Sequence, residues 1–147
     1  IKWKTEPKKV PVVYTCGINI YKYDTKDAGK ALEGAVFKLA RVVTDAEVEA
    51  GKSSTLVTSD GAVPVVYEEF YKTVDLSGEK VSTVTTDANG NAVIYGLEEG
   101  EYYLVEIQAP TGYNLLSYPL EVTLNKVSHV EENIYFLPVV SGSIPFI

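Results

Sequence analysis

The sequence is poor in the residues that most often build cross-linked or reactive sites. Among its 147 residues it has one cysteine, Cys16, one histidine, His129, and no methionine. A lone cysteine cannot form an internal disulfide, and a lone histidine argues against a catalytic triad or a histidine metal cluster. These scarcities predict a protein without a metal or a cofactor, and they argue against a multi-turnover enzyme.

Long apolar runs and excess positive charge are also missing. No apolar stretch approaches the ~18 residues of a membrane-spanning helix, so no membrane insertion of this fragment is predicted. The net charge is −7 and the pI is about 4.7, which argues against a nucleic-acid partner because such partners are bound by basic patches. Since there is no initiator methionine and no signal-peptide pattern, we expect a piece of a longer precursor.

The composition is rich in residues that favour β-strands. The chain has 11 tyrosines, and its short alternating runs are separated by turn residues, which is typical of an all-β sandwich. We expect a linker at 1–15, the sandwich at 16–140 and a tail at 141–147. An insertion is expected at about 44–80, with a short helix that begins at the capping box Thr44–Glu47 and a hairpin that turns at Asp60-Gly61.

Turn signals and alternation also assign shorter segments. These are a polar turn at Asp24–Lys30, a strand at Ala35–Val43, a hairpin that joins Val81–Thr86 to Asn91–Tyr95, a turn at Lys126–Glu132 that exposes His129, and a last strand at about Asn133–Val140.

Two charged residues fall on faces that the alternation predicts to be buried. Lys22 shares a face with Ile18 and Ile20, and Glu106 shares a face with Leu104 and Tyr102. Isolated charge in a low-dielectric core is very costly. The pattern alone allows a buried Lys22–Glu106 ion pair, or a Lys22 side chain that extends to the rim of the sandwich.

Several motifs between about Gly17 and Asn133 resemble, in the right order, the Cna-B-type domains of Gram-positive surface proteins. Tyr102–Tyr113 is similar to the E-box Y-x-L-x-E-x-x-A-P-x-G-Y. The opening motif K-x-D…L-x-G-A-x-F-x-L is matched by Lys22, Asp24 and Leu32–Leu39, and T-D-x-x-G…G-L by Thr86–Leu97. The resemblance implies an immunoglobulin-like (Cna-B-type) β-sandwich.

The resemblance also implies a covalent lock. In this family a lysine on the first strand attacks an asparagine side chain on the last strand, a glutamate assists, and ammonia leaves. Carried over, Lys22 is the nucleophile, Glu106 the catalytic acid and Asn133 the acceptor of the isopeptide bond, with Asn125 a distant second. Burial favours such chemistry, because it lowers the pKa of a lysine and raises that of a glutamate.

Two functions follow from these motifs. The resemblance implies a structural domain, the C-terminal one, of a backbone pilin: extracellular, anchored to the cell wall, and joined by sortase to neighbouring pilin subunits through the parent protein. The alternative is an adhesin module that recognises a host protein or glycan through its insertion, with Val63–Tyr67 and Phe70–Tyr71 as the contact residues.

Overall fold

The structure, a computed structural model, describes residues 15–74, 76, 78–125, 129–131 and 134–146. Most of the predicted linker, residues 1–14, lies outside this part. The described residues form one helix and eleven strands. They are α1 (Asp45–Glu49), β1 (Thr15–Asp24), β2 (Asp27–Ala31), β3 (Val36–Val42), β4 (Ser54–Thr58), β5 (Gly61–Glu68), β6 (Thr83–Thr85), β7 (Asn91–Leu97), β8 (Gly100–Gln108), β9 (Leu120–Leu124), β10 (His129–Glu131) and β11 (Ile134–Ser143).

The strands form two sheets that enclose one main core. One sheet has the order β10-β11-β1-β2, with β7 also paired to β1. The other has the order β4-β5-β3-β8-β9, with β6 also paired to β3. Inward residues of both sheets, such as Ile18 and Ile20 from β1 and Phe37 and Leu39 from β3, share this core. The predicted all-β, immunoglobulin-like sandwich is confirmed.

The insertion has the helix and the hairpin that the sequence predicts. Thr44 and Glu47 cap each other, since the Thr44 hydroxyl accepts from the Glu47 N–H and the Glu47 carboxylate accepts from the Thr44 N–H. Strands β4 and β5 turn at Asp60-Gly61, where Gly61 takes a φ of 117° that favours glycine. Their side chains build a second small core, formed by Leu56 and Val65 with Ala40 of β3.

Two of the insertion residues that were predicted to contact a ligand are used in packing, whereas Tyr67 is 40% exposed. Val65 and Phe70 are buried, Val65 in the small core and Phe70 in the main core. The Tyr67 ring lies under the Lys38 amine, 4.0 Å from nitrogen to ring centroid. Apolar runs in this segment therefore stabilise the sandwich and the hairpin.

One predicted turn is shorter than expected, and one predicted hairpin is wrong. The predicted polar turn Asp24–Lys30 is a turn only at residues 25–26, because β2 begins at Asp27 and folds back antiparallel on β1. The predicted hairpin after Val81 has a real turn, closed by a bond from the Asp87 N–H to the Asn91 carbonyl, but its strands separate. β6 pairs with β3 and β7 pairs with β1, so this connection crosses between the sheets. The local sequence predicts the turn correctly, but the sheets that β6 and β7 join depend on pairing with distant strands.

The C-terminal boundary also differs from the prediction. β11 continues through Ser143, three residues beyond the predicted last strand residue Val140. After it, the Phe146 N–H bonds to the Gly112 carbonyl, so the predicted tail is part of the sandwich. His129 begins the short strand β10 within the predicted turn.

Acid should weaken the contact between α1 and β3. Arg41 of β3 binds the Glu47 carboxylate with two bonds of 3.0 and 2.8 Å and Glu68 with one of 2.6 Å. The guanidinium lowers the pKa of Glu47 to about 2, from 4.5 in the unfolded chain. A carboxylate with a depressed folded pKa stabilises the fold above its unfolded pKa, and this stability is lost as the pH falls from 4.5 towards 2.

We therefore expect Glu47→Gln to lower the thermal unfolding midpoint at neutral pH and to have a progressively smaller effect as the pH approaches about 2. Glu49→Gln, on the same helix, is the control. A Glu47→Gln effect of equal size at both ends of this pH range would contradict the assignment.

Candidate functional site

Lys22 faces the core from β1 because it continues the alternation of Ile18 and Ile20. All three residues are 0% exposed, as predicted. The Lys22 N–H donates to the Gly90 carbonyl at 2.8 Å, and its carbonyl accepts from the Leu32 N–H at 3.0 Å. The backbone that carries the amine is therefore held on both sides.

Glu106 faces Lys22 from β8 in the opposite sheet. It continues the inward face of Tyr102 and Leu104, and its side chain is fully buried. One carboxylate oxygen, Oε1, accepts from the Leu116 N–H at 2.9 Å. This bond leaves the second oxygen, Oε2, directed at the lysine.

The structure brings Lys22 and Glu106 into direct contact. The Lys22 Nζ lies 3.1 Å from Glu106 Oε2 and donates to Ser141 Oγ at 2.9 Å. The Phe37 ring closes the site, with its centroid 5.6 Å from Nζ. Lys22 does not extend to the rim of the sandwich; its contacts are those of the buried ion pair that the sequence allowed.

Burial dominates the electrostatics of this cluster. It lowers the pKa of the Lys22 amine, and the Glu106 carboxylate opposes only part of that effect. A buried ion pair is a weak source of net stability, because desolvation offsets much of the attraction. Its larger consequence is that neither partner can be removed alone without leaving a buried charge.

Ser141, the third member of the cluster, was not among the predicted site residues. The parallel register of β1 and β11 places it directly opposite Lys22. A sequence signal existed, since Leu137, Val139, Ser141 and Ser143 alternate onto one face. The predicted last strand stops at Val140, before the polar part of that face, and therefore does not include Ser141.

The predicted acceptor Asn133 lies outside the described residues, and the Lys22–Asn133 bond stays a prediction. Its neighbour in sequence, Ile134, pairs with Thr15, seven residues from Lys22 along β1. The second candidate, Asn125, is exposed and directly follows β9, which belongs to the sheet opposite β11. Among the described residues, Ser141 is therefore the last-strand side chain at the Lys22 amine.

A second polar contact joins the opening motif to the end of the E-box. The Tyr113 hydroxyl donates to Asp24 Oδ2 at 2.7 Å, and the Lys26 N–H donates to Oδ1 at 2.7 Å. These donors lower the pKa of Asp24. The bond ties the loop after β8 to the end of β1, two residues beyond Lys22.

Gly90 is required beside Lys22 for a reason that can be tested. Its φ is +76°, and a Cβ there would lie 2.6 Å from the Lys22 carbonyl oxygen. The left-handed conformation alone costs a non-glycine residue roughly 1–2 kcal/mol, and the overlap with backbone adds to it. We expect Gly90→Ala to lower the free energy of unfolding by more than this amount, measured by urea denaturation.

Gly51→Ala is the matched control for Gly90→Ala. Gly51 has a similar φ of +71°, and a Cβ there would meet nothing within 4 Å. The difference between the two variants isolates the steric overlap at Gly90, which is closest with the Lys22 carbonyl and also involves Ala31 and Tyr21. Equal losses of stability would show that Gly90 is needed only for its backbone conformation.

Other kinds of site find little support in the part of the chain that is described. There, no group of three or more His, Cys, Asp or Glu side chains could hold a metal ion. No helix among these residues is long and apolar enough to cross a membrane. A cavity of about 550 Å³ borders α1 and β8, and the Arg41 side chain that lines it is already paired with Glu47 and Glu68.

Comparison with known proteins identifies relatives among bacterial surface proteins. A family model described as the SpaA prealbumin-like fold domain matches residues 16–135. The Trypsin-resistant surface T6 protein of Streptococcus pyogenes serotype M6 is 35% identical over 68 residues, which are 46% of this chain and 11% of that protein.

Solved pilin structures share the fold. The group B streptococcus pilus 2b backbone protein is 26% identical with a TM-score of 0.58, and the match covers 88% of this chain and 41% of that one. A streptococcal ancillary pilin has the same identity and TM-score, with coverages of 90% and 30%. This chain therefore spans less than half the length of each of these relatives. It belongs to the SpaA prealbumin-like fold family and is a Cna-B-like domain of the Gram-positive pilin type.

Proposed function

We propose that this domain is a load-bearing unit of a sortase-assembled pilus on the Gram-positive cell surface. Sortase would join the parent protein to neighbouring pilin subunits, and the assembly would be anchored to the cell wall. The domain performs no turnover in this role. The relatives described as backbone and ancillary pilins support this placement, and the pairing of the first strand, β1, with the last, β11, supports the mechanical part.

The main support for a load-bearing role is the pairing of the first strand, β1, with the last strand, β11. β1 and β11 run parallel over ten aligned positions, from Thr15 opposite Ile134 to Asp24 opposite Ser143. Because the strands are parallel, a pull on the start of β1 and the end of β11 acts along the ladder in opposite directions. The load is then shared by many hydrogen bonds in shear. A perpendicular pull would instead break them one after another.

The Lys22 cluster reinforces this ladder from the inside. Lys22 lies on β1, Ser141 lies opposite it on β11, and the ion pair with Glu106 connects Lys22 to β8 in the second sheet. The sequence motifs predicted that a covalent Lys22–Asn133 bond would provide this lock. The contacts of the described residues favour a lock made of the ion pair and the hydrogen bond to Ser141.

Pilus assembly can be tested in the bacterium that produces this protein, with antibodies raised against this domain. We expect cell-wall extracts to give a ladder of high-mass bands that survives boiling in detergent and collapses to one band when the sortase gene is deleted. A single band of unchanged mass in both strains would contradict incorporation into a pilus.

The adhesin alternative stays a prediction. It is tested by deleting the insertion at about 44–80 and measuring binding to host ligands; unchanged binding would contradict it.

A further inference from the structure

We propose that position 141 is the acceptor position of the Lys22 site, and that Ser141 keeps this site as a hydrogen-bonded, unlinked cluster. The inference rests on the proposed structural function and assigns a specificity-determining residue within it. It differs from the predicted Lys22–Asn133 lock in both the position of the acceptor and the state of the native chain.

The register of β1 and β11 carries the assignment. Lys22 and Ser141 are directly paired in neighbouring parallel strands, so their side chains leave the same face of the sheet about 5 Å apart. Ser141 is 3% exposed, and its Oγ is 2.9 Å from the amine. Thr15, the partner of Ile134, is about 23 Å from Lys22 along the strand, so that end of β11 is out of reach of the amine.

The chemistry of serine explains why the site is unlinked. A lysine amine forms an amide only by attack on a carbonyl carbon, and the side chain of Ser141 has a hydroxyl with no such carbon. The described site thus holds a nucleophile and a proton carrier, Glu106, without an electrophile on β11.

One substitution supplies the missing atom in the right place. The Oγ of serine and the Cγ of asparagine are both bonded directly to Cβ. In the same rotamer, a carboxamide at position 141 therefore puts its carbonyl carbon close to where Ser141 Oγ now lies, 2.9 Å from Nζ. That separation is the near-attack distance at which positioned groups react with very high effective molarity.

The resulting reaction balances without any further reagent. Glu106 first takes a proton from the Lys22 ammonium, which frees the Nζ lone pair. The amine then attacks the carboxamide carbon, a new C–N bond forms, and the C–NH2 bond breaks. Glu106 delivers this proton to the departing nitrogen, which leaves as ammonia, and then accepts the second proton that the lysine nitrogen loses. No electron transfer occurs.

Intact-mass spectrometry of Ser141→Asn tests the proposal. We expect this variant to be lighter than its own sequence by one ammonia, and peptide mapping to yield a branched peptide that contains Lys22 and position 141. The pair Ser141→Asn with Lys22→Met should keep its full sequence mass, and Ser141→Asn with Glu106→Gln should lose ammonia far more slowly. Folding is checked by circular dichroism.

Ser141→Asp provides an independent route, since its carboxyl has the same shape and condenses with loss of water. A folded Ser141→Asn that keeps its full mass, failure of both variants to fold, or a native chain that is already lighter by one ammonia would each overturn the proposal. None of these outcomes changes the high-mass bands expected in cell-wall extracts. Failure of this proposal can therefore be distinguished from failure of the proposed pilus function.

Discussion

Replacing Glu106 with alanine is expected to lower the free energy of unfolding by about 3–5 kcal/mol. The Lys22 amine is fully buried, and Glu106 is the charged group that it contacts, at 3.1 Å. Without it the amine is either a charge left unpaired in the core or a base deprotonated at a free-energy cost. The alanine variant also removes the acceptor of the Leu116 N–H.

The charge argument is tested by removing both partners together. Lys22→Met combined with Glu106→Gln eliminates the charges and retains an oxygen for the Leu116 N–H. Since removal of both partners leaves no unpaired charge in the core, we expect the double variant to be far more stable than Glu106→Ala. Urea denaturation of the native chain, of Lys22→Met, of Glu106→Gln and of the double variant gives the coupling energy between the two residues. A double variant as unstable as Glu106→Ala would contradict a charge-pairing role.

Phe37→Ala is the second change with a large expected effect. Phe37 is 0% exposed in the main core, and its ring also lies against the Lys22 amine. Truncation of a buried phenylalanine removes its transfer free energy and leaves a cavity, which together cost about 3–5 kcal/mol. The loss should be visible as a lower urea midpoint with a similar denaturant dependence.

Val57→Ala serves as the control for Phe37→Ala. Val57 is 65% exposed on β4, so its truncation should change the free energy of unfolding by about 0.5 kcal/mol or less. If Phe37→Ala cost no more than Val57→Ala, the ring would not be part of the packed core between the sheets.

The inward faces of the sandwich could be predicted from the sequence because alternation within one strand is a local property. Ile18, Ile20 and Lys22 needed only the two-residue period, and Glu106 needed only its place after Tyr102 and Leu104. The capping box at Thr44 was predictable for the same reason, since both of its hydrogen bonds lie within four residues.

The features that were missed depend on pairing between distant segments. Whether Asp87–Gly90 joins strands of one sheet or two is decided by β3 and β1, which lie far away in the sequence. The role of Ser141 depends on the β1–β11 register, which connects residues 119 positions apart. Alternation with Leu137 and Val139 places Ser141 on the inward face, but it does not show that this serine meets a buried lysine.

The intact mass of the native folded chain tests the central claim most directly. If Lys22 is held by Glu106 and Ser141 without a covalent bond, the measured mass equals the mass calculated from the sequence. A native mass lower by one ammonia, with a branched peptide that joins Lys22 to an asparagine, would show that the chain is covalently locked and would contradict the account.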